Sequence, residues 1–244
     1  MNFQTVSQTR TDVQATNLFL RGVYNWMSLG LGLTAVVAYA VATTPAIAQA
    51  IFANPIIFWG LIIAQFGMVL AISGAVHRMS AFTATGLFLL YSALNGATLS
   101  SILMVYTAAS IFKAFIVCTG MFAAMSVYGA TTKKDLTGWG SFLFMGLIGI
   151  IIASIVNIFM ASSALDFVIS GIGVLIFTGL TAYDTQKLKV MGESAPMDDT
   201  LAVRRGTILG ALTLYLDFNN AYQHPFQILD LSPLCSRRCP AWNL

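Results

Sequence analysis

The chain has 244 residues, of which 57% are hydrophobic and 9% are charged. A soluble globular domain carries about a quarter charged residues, so the composition excludes a water-soluble globule and predicts an all-α integral membrane protein. The formal net charge is +3. The basic residues stand in small groups at the ends of apolar runs and form no continuous basic face, which argues against a nucleic-acid partner.

The N-terminal residues 1–21 are polar and contain no apolar region of the kind found in a signal peptide. They are predicted to form a cytoplasmic segment at the membrane surface. Residues 22–223 are predicted to form a transmembrane domain of seven helices, and residues 224–244 an atypical C-terminal tail.

Seven apolar runs follow one another, and each of the first six is near the ~20 residues that cross about 30 Å of hydrocarbon. Between the first two runs, residues 43–54 are predicted to form a loop. The helical phase of the sixth run is expected to continue through Lys187, and residues 191–205 form the longest polar connection. The predicted spans are 22–42, 55–76, 81–106, 111–130, 139–160, 165–183 and a seventh that opens at Gly206 and weakens after Phe218.

The seventh run is short because Asn219, Asn220 and the residues that follow are polar. A short, polar final helix is more stable inside a bundle than against lipid. The sequence therefore predicts a seven-helix bundle in which the short last helix is central.

The distribution of Lys and Arg predicts the orientation of the chain. With a cytoplasmic N-terminus, nine basic residues fall on the cytoplasmic side and three on the other side. This bias predicts a cytoplasmic N-terminus and, if all seven runs span, an external C-terminus. The nine are Arg10, Arg21, Arg78, Lys133, Lys134, Lys187, Lys189, Arg204 and Arg205, and the three are Lys113, Arg237 and Arg238.

Isolated polar and thiol side chains inside the spans have simple structural interpretations. Gln65 and Asn95 are predicted to donate hydrogen bonds between helices. Cys118 lies in an apolar run and is predicted to be a packing residue. Cys235 and Cys239 could pair only if the C-terminal tail faces an oxidising compartment.

Two carboxylates, Asp184 and Asp217, lie in or beside the last two apolar runs. Charged groups inside membrane helices are costly and therefore indicate functional sites. For Asp184, the structural alternative is an ion pair with Lys187 one helical turn later. For Asp217, it is a protonated side chain hydrogen-bonded to a backbone carbonyl or to Thr213.

If the two carboxylates meet, they cannot both ionise cheaply and share one proton. Once deprotonated, they offer oxygen ligands to a hard cation such as Ca²⁺. Protons and the cation then compete for the same oxygens. The pair is thus a candidate pH sensor and Ca²⁺-binding site, although the predicted boundaries place Asp184 near the cytoplasmic end and Asp217 near mid-membrane.

Arg78, at the end of the second run, is either a cytoplasmic anchor in a short loop or a cation that reaches a carboxylate and locks the bundle. The adjacent His77 is interpreted as a loop residue.

Four segments resemble the transmembrane Bax inhibitor motif family, and the likeness covers residues 17–218. Two of them carry the aspartates in the order of the paired family signature. The segments are Asn95-Gly-Ala-Thr-Leu99, Lys133-Lys-Asp-Leu136, Ala182-Tyr-Asp-Thr-Gln186 and Leu214-Tyr-Leu-Asp-Phe218.

The resemblance, to a bacterial Bax inhibitor-1-like member, implies a seven-helix bundle with the last helix surrounded by the others. It implies a pH-sensitive calcium leak whose sensor is Asp184 with Asp217, and a latch arginine at the position of Arg78. Family members also regulate cell death or, in bacteria, associate with a membrane protease.

The chain departs from the family pattern in two places. Some members carry an acidic residue in helix two, where this chain reads Ala64-Gln-Phe-Gly67. After Phe218 the usual apolar stretch is replaced by Asn219-Asn-Ala-Tyr-Gln-His-Pro225. This change in composition motivates the hypothesis of a shifted reading frame or an aberrant terminus, which resequencing of the coding DNA tests and an intact frame with this tail refutes.

The sequence thus predicts a calcium leak of the bacterial inner membrane gated by a di-aspartate pair, with Ca²⁺ as the transported ion and no other cofactor. The alternative is a membrane interaction protein that conducts nothing and modulates a membrane protease or a stress or cell-death complex. An intramembrane aspartyl protease would also need two aspartates, but the expected Gly-rich signature is missing beside them, and the chain is predicted not to be an enzyme.

Overall fold

The structure is a computed structural model that describes residues 3–76, 78–160, 162–194 and 199–230, with side chains from Gln14 to Pro225 within these ranges. In these ranges the chain forms eight α-helices and no strand. The helices are α1 (Phe3–Thr43), α2 (Pro45–Phe52), α3 (Pro55–Ala75), α4 (Ala81–Val105), α5 (Ala108–Thr131), α6 (Thr137–Met160), α7 (Ser163–Glu193) and α8 (Thr200–Asp230).

Six of these helices are long and apolar enough to cross a membrane, namely α1 from Gln14 onward and α3 to α7. The predicted all-helical membrane class is confirmed. The seventh predicted span corresponds to α8, which is less apolar because Asp217, Asn219 and Asn220 interrupt it. Its residues Ile208, Leu214 and Tyr215 are fully buried, in agreement with the interior position predicted for a polar last helix.

Two boundary predictions were wrong. Residues 45–52 of the predicted loop form α2, because Pro45 stands in the first turn of the helix, where its missing N–H costs nothing. The last helix is not short, since α8 has 31 residues and continues through Asn219 to Asp230, with Pro225 inside it. The polar side chains after Phe218 interrupt the apolar run, but the helical backbone hydrogen bonding continues through them.

The described helices form two compact units. The first unit comprises Met1–Ile111 and Lys187–Tyr215, as far as these are described. Within it, α1 and α4 approach closely at a glycine, because a Cβ on Gly96 would lie 2.5 Å from the carbonyl oxygen of Thr34. The predicted role of Gln65 is confirmed, since its Nε2 donates from α3 to the hydroxyl of Thr98 on α4 at 2.6 Å.

A close helix contact is also found in the Gly206–Gly210 segment of the first unit. A Cβ on Gly210 would lie 2.6 Å from a methyl carbon of Leu188 on α7 and 3.1 Å from Val23 on α1. The start of α8 therefore packs closely against two helices at Gly210, where a larger residue would require the Leu188 side chain to move.

The second unit comprises Phe112–Gln186 and Leu216–Leu244, as far as these are described. It contains α6, most of α5, α7 up to Gln186, and α8 from Leu216. Its core joins α6 to α7 through a cluster of apolar side chains. The buried members are Leu143, Ile150, Ile169, Ile176, Phe177 and Leu180.

Candidate functional site

Asp184 of α7 and Asp217 of α8 both belong to the second unit, and their carboxyl groups are hydrogen-bonded to each other. The side chain of Asp217 is 5% exposed, and that of Asp184 is partly buried. Oδ2 of Asp217 is buried and has no hydrogen-bond partner among the described residues. A carboxylate can only accept hydrogen bonds, so a hydrogen bond between two carboxyl groups requires a proton on at least one of them.

Both helices extend beyond their predicted boundaries on the connection between them. The α7 helix continues past Lys187 and Lys189 to Glu193, and α8 begins at Thr200, ahead of the predicted start at Gly206. Asp184 therefore lies well inside α7, and not near its end as the predicted boundaries implied.

The structure also describes two of the residues named in the structural alternatives, Thr213 and Lys187. The hydroxyl of Thr213 donates to the carbonyl oxygen of Leu209 on its own helix at 3.1 Å. The side chain of Lys187 is exposed. The hydrogen bond of Asp217 thus goes to Asp184 across two helices.

Two glycines let α7 pack closely at the turn that carries Asp184. A Cβ on Gly129 of α5 would collide with the carbonyl oxygen of Ala182, and a Cβ on Gly140 of α6 would collide with the ring of Tyr183. The collision at Gly129 is with backbone and cannot be relieved by rotation of a side chain, whereas the collision at Gly140 would require the Tyr183 ring to move. The segment before Asp184 is therefore fixed against both α5 and α6.

Aromatic rings surround α8 next to Asp217. The ring of Phe218 packs edge-on against Phe115 and Phe122 of α5, with centroid distances of 5.9 and 5.5 Å. One turn later, the buried free thiol of Cys118 donates to the carbonyl oxygen of Ala221 at 3.4 Å. The packing role predicted for Cys118 is confirmed, whereas Cys235 and Cys239 lie outside the described residues.

In the first unit, Tyr215 forms a buried polar centre that the sequence reasoning did not single out. Its side chain is fully buried, and its hydroxyl lies 2.6 Å from Oγ1 of Thr34 on α1. Nδ2 of Asn95 on α4 donates to the same hydroxyl at 2.9 Å, which confirms the predicted interhelical role of Asn95. The sequence offered one signal for this centre, since Tyr215 is part of the second aspartate motif. Its hydrogen-bond partners are distant in sequence and could not be identified from the motif.

Arg78 lies between α3 and α4 in the first unit, and its side chain is exposed. The carbonyl oxygen of the neighbouring Met79 accepts a hydrogen bond from Nη1 of Arg205 at 3.5 Å. The latch role of Arg78 stays a prediction, and His77 lies outside the described residues.

The connection between α5 and α6 carries an acidic residue outside the spans. Oδ1 of Asp135 accepts hydrogen bonds from the hydroxyl and the backbone N–H of Thr137, the latter at 2.9 Å. These two hydrogen bonds hold the pKa of the Asp135 carboxyl below its ordinary value of 3.8. The charged form of Asp135 is thus the one that caps the start of α6.

Within the part of the chain that the structure describes, no three His, Cys, Asp or Glu side chains converge as a metal-binding group.

Comparison with known proteins places this pair of motifs in a family. The family described as inhibitor of apoptosis-promoting Bax1 matches residues 16–232. The chain belongs to this family. The family match also continues past Phe218, where the resemblance read from the motifs ended.

Several bacterial relatives of the Bax inhibitor family align over nearly the whole chain. The inner membrane protein YbhL of Escherichia coli (strain K12) is 52% identical over 217 residues, which cover 89% of this chain and 92% of the relative. An uncharacterized protein of Borreliella burgdorferi is 50% identical over 224 residues, covering 92% and 96% of the two chains. One of Rickettsia prowazekii is 40% identical over 227 residues, covering 92% and 94%.

Proposed function

We propose that this Bax inhibitor family protein is a pH-sensitive calcium leak in which the Asp184–Asp217 pair senses protons and binds the permeating ion. The observation that carries the proposal is the hydrogen bond between the two carboxyl groups, one of which is almost fully buried. An acidic side chain is costly to bury in a membrane helix and is kept where it has a function.

Proton sharing gives the pair its pH response. In the paired state one proton lies between Asp184 and Asp217, and the two groups together carry a single negative charge. Loss of that proton leaves two like charges in contact, which repel each other and break the hydrogen bond. Raising the pH therefore separates the carboxylates or draws a cation between them.

The chemistry of the carboxylate oxygens fits Ca²⁺ as the transported ion. Ca²⁺ prefers oxygen ligands and accepts about six to eight of them in flexible geometry. The two carboxylates provide up to four, and the remainder would come from water, backbone carbonyls and hydroxyls. In the same unit, the hydroxyls of Ser126 and Thr185 are buried without a hydrogen-bond partner among the described residues.

The proposal includes the cellular setting. Because the Escherichia coli relative is an inner membrane protein, we place this chain in a bacterial inner membrane. The excess of Lys and Arg orients it with a cytoplasmic N-terminus and an external C-terminus. The lipid bilayer and Ca²⁺ are its proposed partners, and the function includes no catalytic step.

Calcium influx into liposomes tests the proposal. Purified protein should admit Ca²⁺ to an entrapped indicator faster than protein-free liposomes, and the double variant Asp184→Ala/Asp217→Ala should lose this excess. Asp199→Asn is the matched control, because Asp199 is exposed and an asparagine keeps its cap of Leu201 and Ala202. Influx equal to that of protein-free liposomes would overturn the leak and favour the non-conducting interaction protein, whose partner would be a membrane protease or stress complex.

A further inference from the structure

Gln186 of α7 holds the connection between α5 and α6 through both ends of its side-chain amide. Its Oε1 accepts from the backbone N–H of Leu136 at 2.9 Å, and its Nε2 donates to the carbonyl oxygen of Lys134 at 2.8 Å. All three residues belong to the second unit. We call this pair of hydrogen bonds the Gln186 clamp.

The clamp supplies hydrogen-bond partners for backbone groups in the connection between α5 and α6. The backbone between Thr131 and Thr137 lies outside the helices α5 and α6, so its N–H and C=O groups need other partners. The side chain of Leu136 is buried, whereas those of Lys133, Lys134 and Asp135 are exposed. The connection is thus attached to α7 through its backbone, while the side chains of its charged residues are exposed.

Gln186 lies two residues after Asp184, in the turn that Gly129 and Gly140 already hold from the preceding side. With contacts on both sides of Asp184, a rotation or a shift of α7 along its axis would break two hydrogen bonds to backbone. An amide does not titrate, so the clamp stays intact while the carboxyl pair gains and loses its proton.

We propose that Gln186 is a positioning residue that holds Asp184 at the level of Asp217. The inference rests on the proposed function for its physiological meaning, but not for its test. The clamp fixes the α7 carboxyl, so separation of the pair on deprotonation is taken up by α8 at Asp217.

Cross-linking measures the positioning without any reference to transport. Asp184→Cys and Asp217→Cys are combined in a background without Cys118, Cys235 and Cys239, and the rate of reaction with a short bifunctional thiol reagent is recorded. Adding Gln186→Leu, which matches the size of the side chain but removes both hydrogen bonds, should lower this rate about two- to tenfold, the range expected for the loss of a hydrogen bond.

Two further variants define the cause of that change. Gln186→Glu keeps the acceptor for the Leu136 N–H and loses the donor to Lys134, so its rate should fall between those of the parent and Gln186→Leu. If Gln186→Leu does not fold, the cross-linking rate of Gln186→Glu tests the positioning role in its place. Gln65→Leu is the matched control, since it removes a partly buried interhelical amide in the first unit and should leave the rate unchanged.

Hydrogen exchange at the Leu136 amide shows whether the clamp has been broken, and calcium influx against pH shows whether its loss matters for transport. The expected result is faster exchange at Leu136, slower cross-linking and an altered pH profile in Gln186→Leu. Faster exchange with an unchanged cross-linking rate would overturn the proposal. Slower cross-linking in a protein that admits no Ca²⁺ would support the positioning role and refute the calcium leak.

Discussion

Replacing Asp217 by asparagine removes the proton that the carboxyl pair shares while keeping the size and shape of the side chain. The asparagine amide can donate to the Asp184 carboxylate, so the contact between α7 and α8 should persist. What changes is the number of protons released per cation bound, because the variant no longer has a shared proton to release. The variant therefore separates the proton-sensing role of the pair from its structural role.

The single shared proton sets the size of the expected effect. If Ca²⁺ binding displaces one proton from the pair, the apparent affinity for Ca²⁺ should change about tenfold per pH unit on the acidic side of the titration, and level off above it. In Asp217→Asn this slope should fall to about zero, and the affinity should be lower at all pH values because one carboxylate is missing. Asp184→Asn should show the same flattening, since the proton belongs to the pair.

The assay is the initial rate of calcium influx into liposomes, measured over a series of pH values and Ca²⁺ concentrations for the parent and both asparagine variants. Asp199→Asn again serves as the control and should retain the parental slope. A parental pH slope in Asp217→Asn would refute the reasoning, since the response would then arise from another group.

The remaining predictions concern stability, measured by unfolding in detergent micelles. Gly129→Ala places a methyl group against the backbone of α7 and should cost about 1–3 kcal/mol. In Gly120→Ala, on the same helix, the new methyl group meets nothing within 4 Å, so a gain of up to about 1 kcal/mol is expected. Tyr215→Phe removes the acceptor of the buried Asn95 amide and should cost about 1–3 kcal/mol. The lowered pKa of Asp135 means that its stabilising contribution is complete above the ordinary pKa and is lost as the pH falls through the lowered value. Asp135→Asn keeps the acceptor for Thr137 and should weaken this acid-dependent loss, which melting temperatures across the acidic range measure.

Each of these predictions has an outcome that contradicts it. Equal effects of alanine at Gly129 and Gly120 would show that the close contact with α7 does not constrain the fold. A Tyr215→Phe variant as stable as the parent would mean that its partners find other hydrogen bonds. An Asp135→Asn variant with the acid sensitivity of the parent would assign that sensitivity to other carboxyl groups.

The sequence was a good guide to each helix and a poorer guide to where helices end. The span α4 was predicted almost to the residue, because hydrophobic length and flanking polar residues are local properties of the chain. The extent of α8 was missed, because Asn219 and Asn220 were read as the end of a membrane run. A helix shielded by protein can carry such residues, since its backbone groups are satisfied within the helix whatever its side chains are.

The sequence predicted the two aspartates of the candidate site but not how the residues of the site are arranged in space. Both aspartates stood out because a carboxylate in or beside an apolar run is costly at any depth. Gln186 and Tyr215 did not stand out, because a glutamine near a helix end and a tyrosine in a membrane helix are ordinary features. Their importance lies in their partners, which are far away in the chain.

The sequence by itself therefore determined the membrane class, the order of the spans and the two acidic positions, all of which follow from the hydropathy and charge of neighbouring residues. Only the tertiary structure decided that Asp184 meets Asp217, because a contact between helices depends on the rotation and depth of each one. Those are set by close packing at positions such as Gly129 and Gly140, where the absence of a side chain lets another helix approach.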